Sequence, residues 1–215
     1  MKAAWVLLRW EVGAAGRWVS AGWGCLFFLA VVVLLPLGVG SEAAVLERLA
    51  GGFLWIAVLL ASLCGLDGMF RAAWEDGSLE AMALSDVPLE AAALVVCGAH
   101  WAMHLLPLAV LCVPGGVALG LEWGEAARLA GVVACLSPAF SLLGGVGAVL
   151  SLDARRGGML CLLLVLPLEV PVLVFGVGGS AGDGESFLLG LGVMLLFLAV
   201  APFLVSSLLW ARLRV

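Results

Sequence analysis

Charge is scarce in this chain: 12% of its 215 residues are Asp, Glu, Lys or Arg, against about 25% in an ordinary soluble domain. With 65% of residues hydrophobic and a mean hydropathy of +1.24, a water-soluble fold is excluded. Lysine occurs once, at Lys2. The G-x-x-x-x-G-K-[ST] loop that cradles nucleotide phosphates therefore cannot form, and no ATP site of that kind exists here. No C-x-x-C, C-x-x-C-H or H-E-x-x-H occurs either, which removes haem attachment and the zinc-protease helix. The six cysteines, Cys25, Cys64, Cys97, Cys112, Cys135 and Cys161, fall in or beside apolar runs and read as small packing residues. No catalytic residue, metal site or nucleic acid partner is expected.

What is present is length of apolar sequence. A helix needs about 20 apolar residues to cross the hydrocarbon core, and six runs qualify with their flanks: 25–38, 53–66, 91–119, 129–150, 159–177 and 187–210. The expected fold is an all-α integral membrane protein of six spans, one permease-like domain over 1–215. The first run reads as a span and not as a cleaved leader, since further spans follow it. Eight of the ten basic residues lie on one side if the N-terminus is cytoplasmic, leaving only Arg48 and Arg128 outside. By the positive-inside rule both termini are then expected in the cytoplasm.

Residues 1–20 are amphipathic. Lys2, Arg9, Gly13, Gly16, Arg17 and Ser20 share one helical face, while Leu8, Val12, Ala15 and Val19 take the other. With four tryptophans between Trp5 and Trp23, this segment predicts an interfacial helix. The external connections, GVGSEAAVLERLAGG, LEWGEA and GGSAGDGES, read as loops too short for a domain. Gly144, Gly145 and Gly147 suit close helix packing. Pro167 and Pro171 should kink the fifth span.

Three features could carry chemistry. His100 and His104, the only histidines, share a helical face four residues apart, a spacing open to packing, to substrate contact or to metal and haem ligation. Glu169 is an intramembrane carboxylate, a type of residue costly enough to mark function. The third is the acidic cytoplasmic segment 71–90, with Glu75, Asp76, Glu80, Asp86 and Glu90. There Asp76 or Ser78 can cap a short helix held on the membrane face by Trp74, Leu79, Met82 and Leu84, and Pro88 can start the next span. The other cytoplasmic loop carries Arg155 and Arg156.

In order along the chain, LLPLGVGSE (34–42), EDGSLEAMAL (75–84), AHW (99–101) and RRGGMLCLLLVLPLEVPVLVFG (155–176) are similar to the CcmB family of bacterial cytochrome c maturation. These are inner-membrane permease subunits of the ABC-2 kind. The resemblance implies two copies of the chain on two copies of an ATPase subunit, CcmA, which binds the ATP. It further implies association with CcmC, CcmD and the haem chaperone CcmE, with haem as a possible cargo and no cofactor held firmly. Hydrolysis would be linked to haem export or to release of the loaded chaperone. The family's DGSLE block carries over to Asp76, Gly77, Ser78, Leu79 and Glu80 as the ATPase-coupling loop, beside Glu75. His100, Trp101, His104 and Glu169 stand as contacts for substrate or partner. Glu169 replaces an expected neutral residue, and Cys97 stands where lysine is common. The competing classes are an integral membrane haem-handling enzyme and a non-translocating scaffold.

Overall fold

The computed structural model describes residues 15–40, 42–66, 68–84, 87–152 and 157–213. Among them there are ten α-helices and no strand: α1 Ala15–Val39, α2 Ala43–Ser62, α3 Gly68–Glu75, α4 Ser78–Ala83, α5 Leu89–His100, α6 Leu106–Ala118, α7 Trp123–Leu136, α8 Pro138–Leu150, α9 Gly157–Ser180 and α10 Gly184–Leu213. A 3-10 turn, Leu63–Gly65, follows α2, and a π turn, Trp101–Leu105, joins α5 to α6. Six helical stretches are long and apolar enough to cross a membrane: Val19–Val39, Ala43–Glu75, Leu89–Ala118, Trp123–Leu150, Cys161–Ser180 and Gly184–Leu213. The six-span all-α fold follows.

Several boundaries differ from the sequence reading. Residues 1–14 of the expected interfacial helix lie outside the described residues, and Ala15 to Ser20 belong to α1, which runs unbroken into the first span. GVGSEAAVLERLAGG is mostly helix, because α2 already starts at Ala43. Likewise α7 begins at Trp123 and α9 ends at Ser180. The charges in these stretches sit on the outer turns of helices, where water and headgroups solvate them, so they do not break the helix. A left-handed Gly120, φ +100°, turns the chain after α6. Its N–H bonds Val117 O at 3.1 Å and the Leu121 N–H bonds Gly116 O at 3.0 Å, which satisfies the last carbonyls of the helix.

The fourth span is two rods. α7 stops at Leu136, Ser137 intervenes, and Pro138 opens α8, a position where the missing proline N–H leaves no bond unmade. Close packing there is set by glycine: a Cβ at Gly144 would overlap Leu66, and one at Gly147 would overlap Val165.

The buried core is divided. One apolar cluster holds Phe28, Leu54, Trp55, Leu105, Phe140 and Val172; the other holds Leu66, Phe70, Leu79, Val96, Leu143, Val165 and Leu209. Between their sequence limits fall Ser62 in span two, His100 and His104 in span three, Ser141 in span four and Glu169 in span five, all buried. Spans two to five thus each carry a buried polar residue at the changeover between the clusters, a polar seam in the sense of depth alone. Its depth follows from a rise of about 1.5 Å per residue: His100 is eleven residues, about 17 Å, from the start of its span at Leu89, and Glu169 is eleven residues from the end of its span at Ser180.

Candidate functional site

The two imidazoles of the seam are stacked, with ring centroids 4.3 Å apart and planes inclined by 16°. His100 Nδ1 lies 2.8 Å from Ser141 Oγ in α8, and His104 Nε2 lies 3.0 Å from Ser20 Oγ in α1. Beside them Trp101 Nε1 donates to Ser137 Oγ at 3.0 Å, at the break in span four. The second span meets the pair through backbone, since a Cβ at Gly65 would stand 2.6 Å from His104 Cδ2 and 3.1 Å from His100 Nε2. Spans one to four thus converge on this histidine pair, which the i, i+4 spacing indicated. Its serine partners and Gly65 were not anticipated. A lone serine in an apolar run is the weak signal that they leave.

Gly65→Ala is expected to force the rings apart and lower stability by about 1–3 kcal/mol, the usual range for an overpacked core. Thermal unfolding of the purified protein checks this. Recovery in the Gly65→Ala/His104→Ala double variant would place the clash on the ring, whereas an unchanged melting temperature in the single variant would refute it.

Glu169 is also buried, with 0% of its surface exposed. Neither carboxyl oxygen has a hydrogen-bond partner among the described residues. Pro167 and Pro171 lie inside α9, which runs through both positions without interruption.

The acidic segment is a helix-turn-helix bracket at one end of the bundle. α3 carries the chain out of span two and ends at Glu75. Gly77 takes φ +74°, a conformation that costs other residues more, and α4 follows. Asp76 Oδ1 accepts the Ser78 N–H at 2.9 Å; bonding from Ser78 holds this exposed carboxyl below its ordinary range. Leu79 is buried with Met69, Phe70 and Ala73 in the second core cluster, and Trp74 and Met82 pack against its edge. Leu84 was expected to anchor too, but it is 87% exposed, because α4 ends at Ala83 before its apolar face comes round again. Glu75, Asp76 and Glu80 face solvent, and Arg71 pairs with Glu75 at 4.0 Å, a surface contact of small energy. Pro88 occupies the cap position of α5.

Two bonds unforeseen from sequence brace this end of the bundle. Ser206 Oγ donates to Glu90 Oε1 at 2.7 Å, and Arg212 Nη2 donates to Leu150 O at 2.9 Å. Arg155 and Arg156 lie outside the described residues. At the opposite end, Gly178 to Gly182 spell G-x-S-x-G, which corrects the expectation that this motif is absent. Ser180 closes a helix and its Oγ accepts from Trp55 Nε1 at 2.8 Å, without the strand–turn–helix that makes this motif a nucleophile elbow.

Fold and site define a polytopic helical membrane protein with a polar seam at mid-depth and an anchored acidic bracket at one face. The profile of the family described as "CcmB protein" matches residues 2–212. The chain is 39% identical over 216 residues to "Heme exporter protein B" of Bradyrhizobium diazoefficiens, covering 96% of this chain and 97% of that one. It is 41% identical over 199 residues to the protein of that name from Paracoccus denitrificans, covering 87% and 89%. With the Escherichia coli protein the identity is 37% over 160 residues, covering 74% and 72%. The chain belongs to the CcmB family.

Proposed function

We propose that this chain is the membrane permease subunit of a haem-export system serving cytochrome c maturation, driven by a separate ATPase. Its relatives are named as haem exporters, and the lack of a lysine-bearing phosphate loop in this sequence supports hydrolysis by another chain. The observation that carries the coupling role is the bracket. Leu79 is buried in the core while Glu75, Asp76 and Glu80 of the same bracket face outward, so a partner gripping the carboxylates would pull on spans two and three together. Two copies of this chain on two ATPase subunits, CcmA, with CcmC, CcmD and the chaperone CcmE nearby, complete the reading. Haem passes as cargo, or the loaded chaperone is released, and the histidine pair, Trp101 and Glu169 are the groups assigned to sense or contact it.

The test is purification of this chain from bacterial inner membranes: an ATPase subunit should accompany it in equal copy number, and recovery without one would refute the assignment. The proposed orientation places both termini and the bracket in the cytoplasm. A cysteine at the exposed Ala181 should then react with an impermeant thiol reagent from outside, and one at Leu84 only after lysis. The reverse pattern would invert the topology.

A further inference from the structure

On the face opposite the acidic bracket, a cavity of about 280 Å³ opens between α2, α7 and the end of α9. Glu47 and Arg48 of α2 and Glu125 and Arg128 of α7 line it, and Leu121, Leu129 and Val177 supply apolar wall. Two guanidinium groups and two carboxylates thus face one space, yet no ion pair within 4.0 Å joins them among the described residues. Arg128 is held in the cavity wall, its Nε donating to Ser180 O at 3.0 Å. Room comes from glycine. A Cβ at Gly52 would meet nothing within 4 Å, and one at Gly51 only Leu129 Cδ1 at 3.9 Å.

Depth narrows the ligand. Arg48 and Arg128 each stand five residues past the first residue of their helix, Ala43 and Trp123, about 7.5 Å along the axis. Trp123, 71% exposed, marks the interfacial level where indoles gather. The cavity therefore opens at headgroup depth. It falls below the range of about 300–1,000 Å³ typical of drug-sized ligands, so it suits a headgroup and not a macrocycle. A simple anion would satisfy the arginines and leave two carboxylates unmatched. A group with both a phosphodiester and an ammonium matches all four: the planar guanidinium forks take phosphate oxygens and the carboxylates take the ammonium protons.

The geometry points to a binding site for the headgroup of phosphatidylethanolamine, with phosphate on Arg48 and Arg128 and ammonium on Glu47 and Glu125. The site stands independently of the haem reading and would hold in any protein with this arrangement. Native mass spectrometry of the detergent-purified chain, incubated with phosphatidylethanolamine or phosphatidylglycerol of matched acyl chains, tests it. Wild type should retain the ethanolamine lipid at least about tenfold better, equivalent to about 1.4 kcal/mol. Arg48→Gln/Arg128→Gln should retain neither. Glu47→Gln/Glu125→Gln should still bind but lose the preference. Gly52→Leu, which fills the cavity without touching charge, should also abolish retention. Equal retention of both lipids by wild type, or retention that survives loss of the arginines, overturns the proposal. Millimolar glycerophosphoethanolamine, which carries the same headgroup without acyl chains, should compete with the bound lipid, and failure to compete would overturn the headgroup assignment.

Discussion

Glu80→Lys is expected to reduce recovery of the ATPase subunit with this chain by at least about tenfold and to lower cytochrome c maturation in parallel, while the amount of protein in the membrane stays unchanged. Truncating one partner of a desolvated interfacial charge pair costs about 2–5 kcal/mol, and reversal adds repulsion to that loss. The substitution spares the fold because Glu80 is exposed on α4, outside every candidate span. Leu79→Ala makes the complementary case. Leu79 is 2% exposed, so its truncation should loosen the bracket from the core at a cost of about 2–5 kcal/mol locally. The ATPase would then bind but hydrolyse without effect on maturation. Full binding and full maturation in both variants would end the coupling assignment.

Glu169→Leu is expected to stabilise the isolated chain by about 1–3 kcal/mol, the cost of a buried polar group left without a partner, and to impair maturation. Leucine keeps much of the volume and removes two oxygens that bond to nothing among the described residues. A stability gain bought with lost activity is the signature of a group retained for function. Thermal unfolding and a cytochrome c maturation assay read the two effects separately. If the leucine variant is less stable than the parent, the carboxyl is structural; if it is more stable and fully active, the carboxyl has no role in transport.

The spans were legible because a continuous apolar run needs no knowledge of its neighbours. Single polar residues inside such runs, His100, His104 and Glu169, stood out for the same reason. What hydropathy could not supply was partnership. His100 meets Ser141 across 41 positions and His104 meets Ser20 across 84, and nothing local in either serine marks it for that bond. The outer loops were overdrawn because Glu47 and Arg48 look like loop residues when read as water-facing, although a helix end at headgroup depth solvates them equally well. For the bracket, a cap by Asp76 or Ser78 was expected, but the cap position of α4 falls on Gly77 with no side-chain cap bond, and Asp76 instead closes the turn by accepting the Ser78 N–H. The exposure of Leu84 depended on where α4 stops, which propensity locates only to within a few residues.

The unequal burial of the six spans has a consequence for how the protein is made. In span four 78% of the apolar stretch is buried, against 22% in each of spans one and six. As the chain leaves the ribosome, span four arrives when span three is already in the bilayer, so the bonds from Ser137 to Trp101 and from Ser141 to His100 can form before any later span exists. The glycine face of α8 at Gly147, however, waits for Val165 of span five. A nascent chain halted after four spans would hold its histidine pair yet present an open groove to lipid, a half-built surface by which membrane quality control could tell an interrupted chain from a finished one.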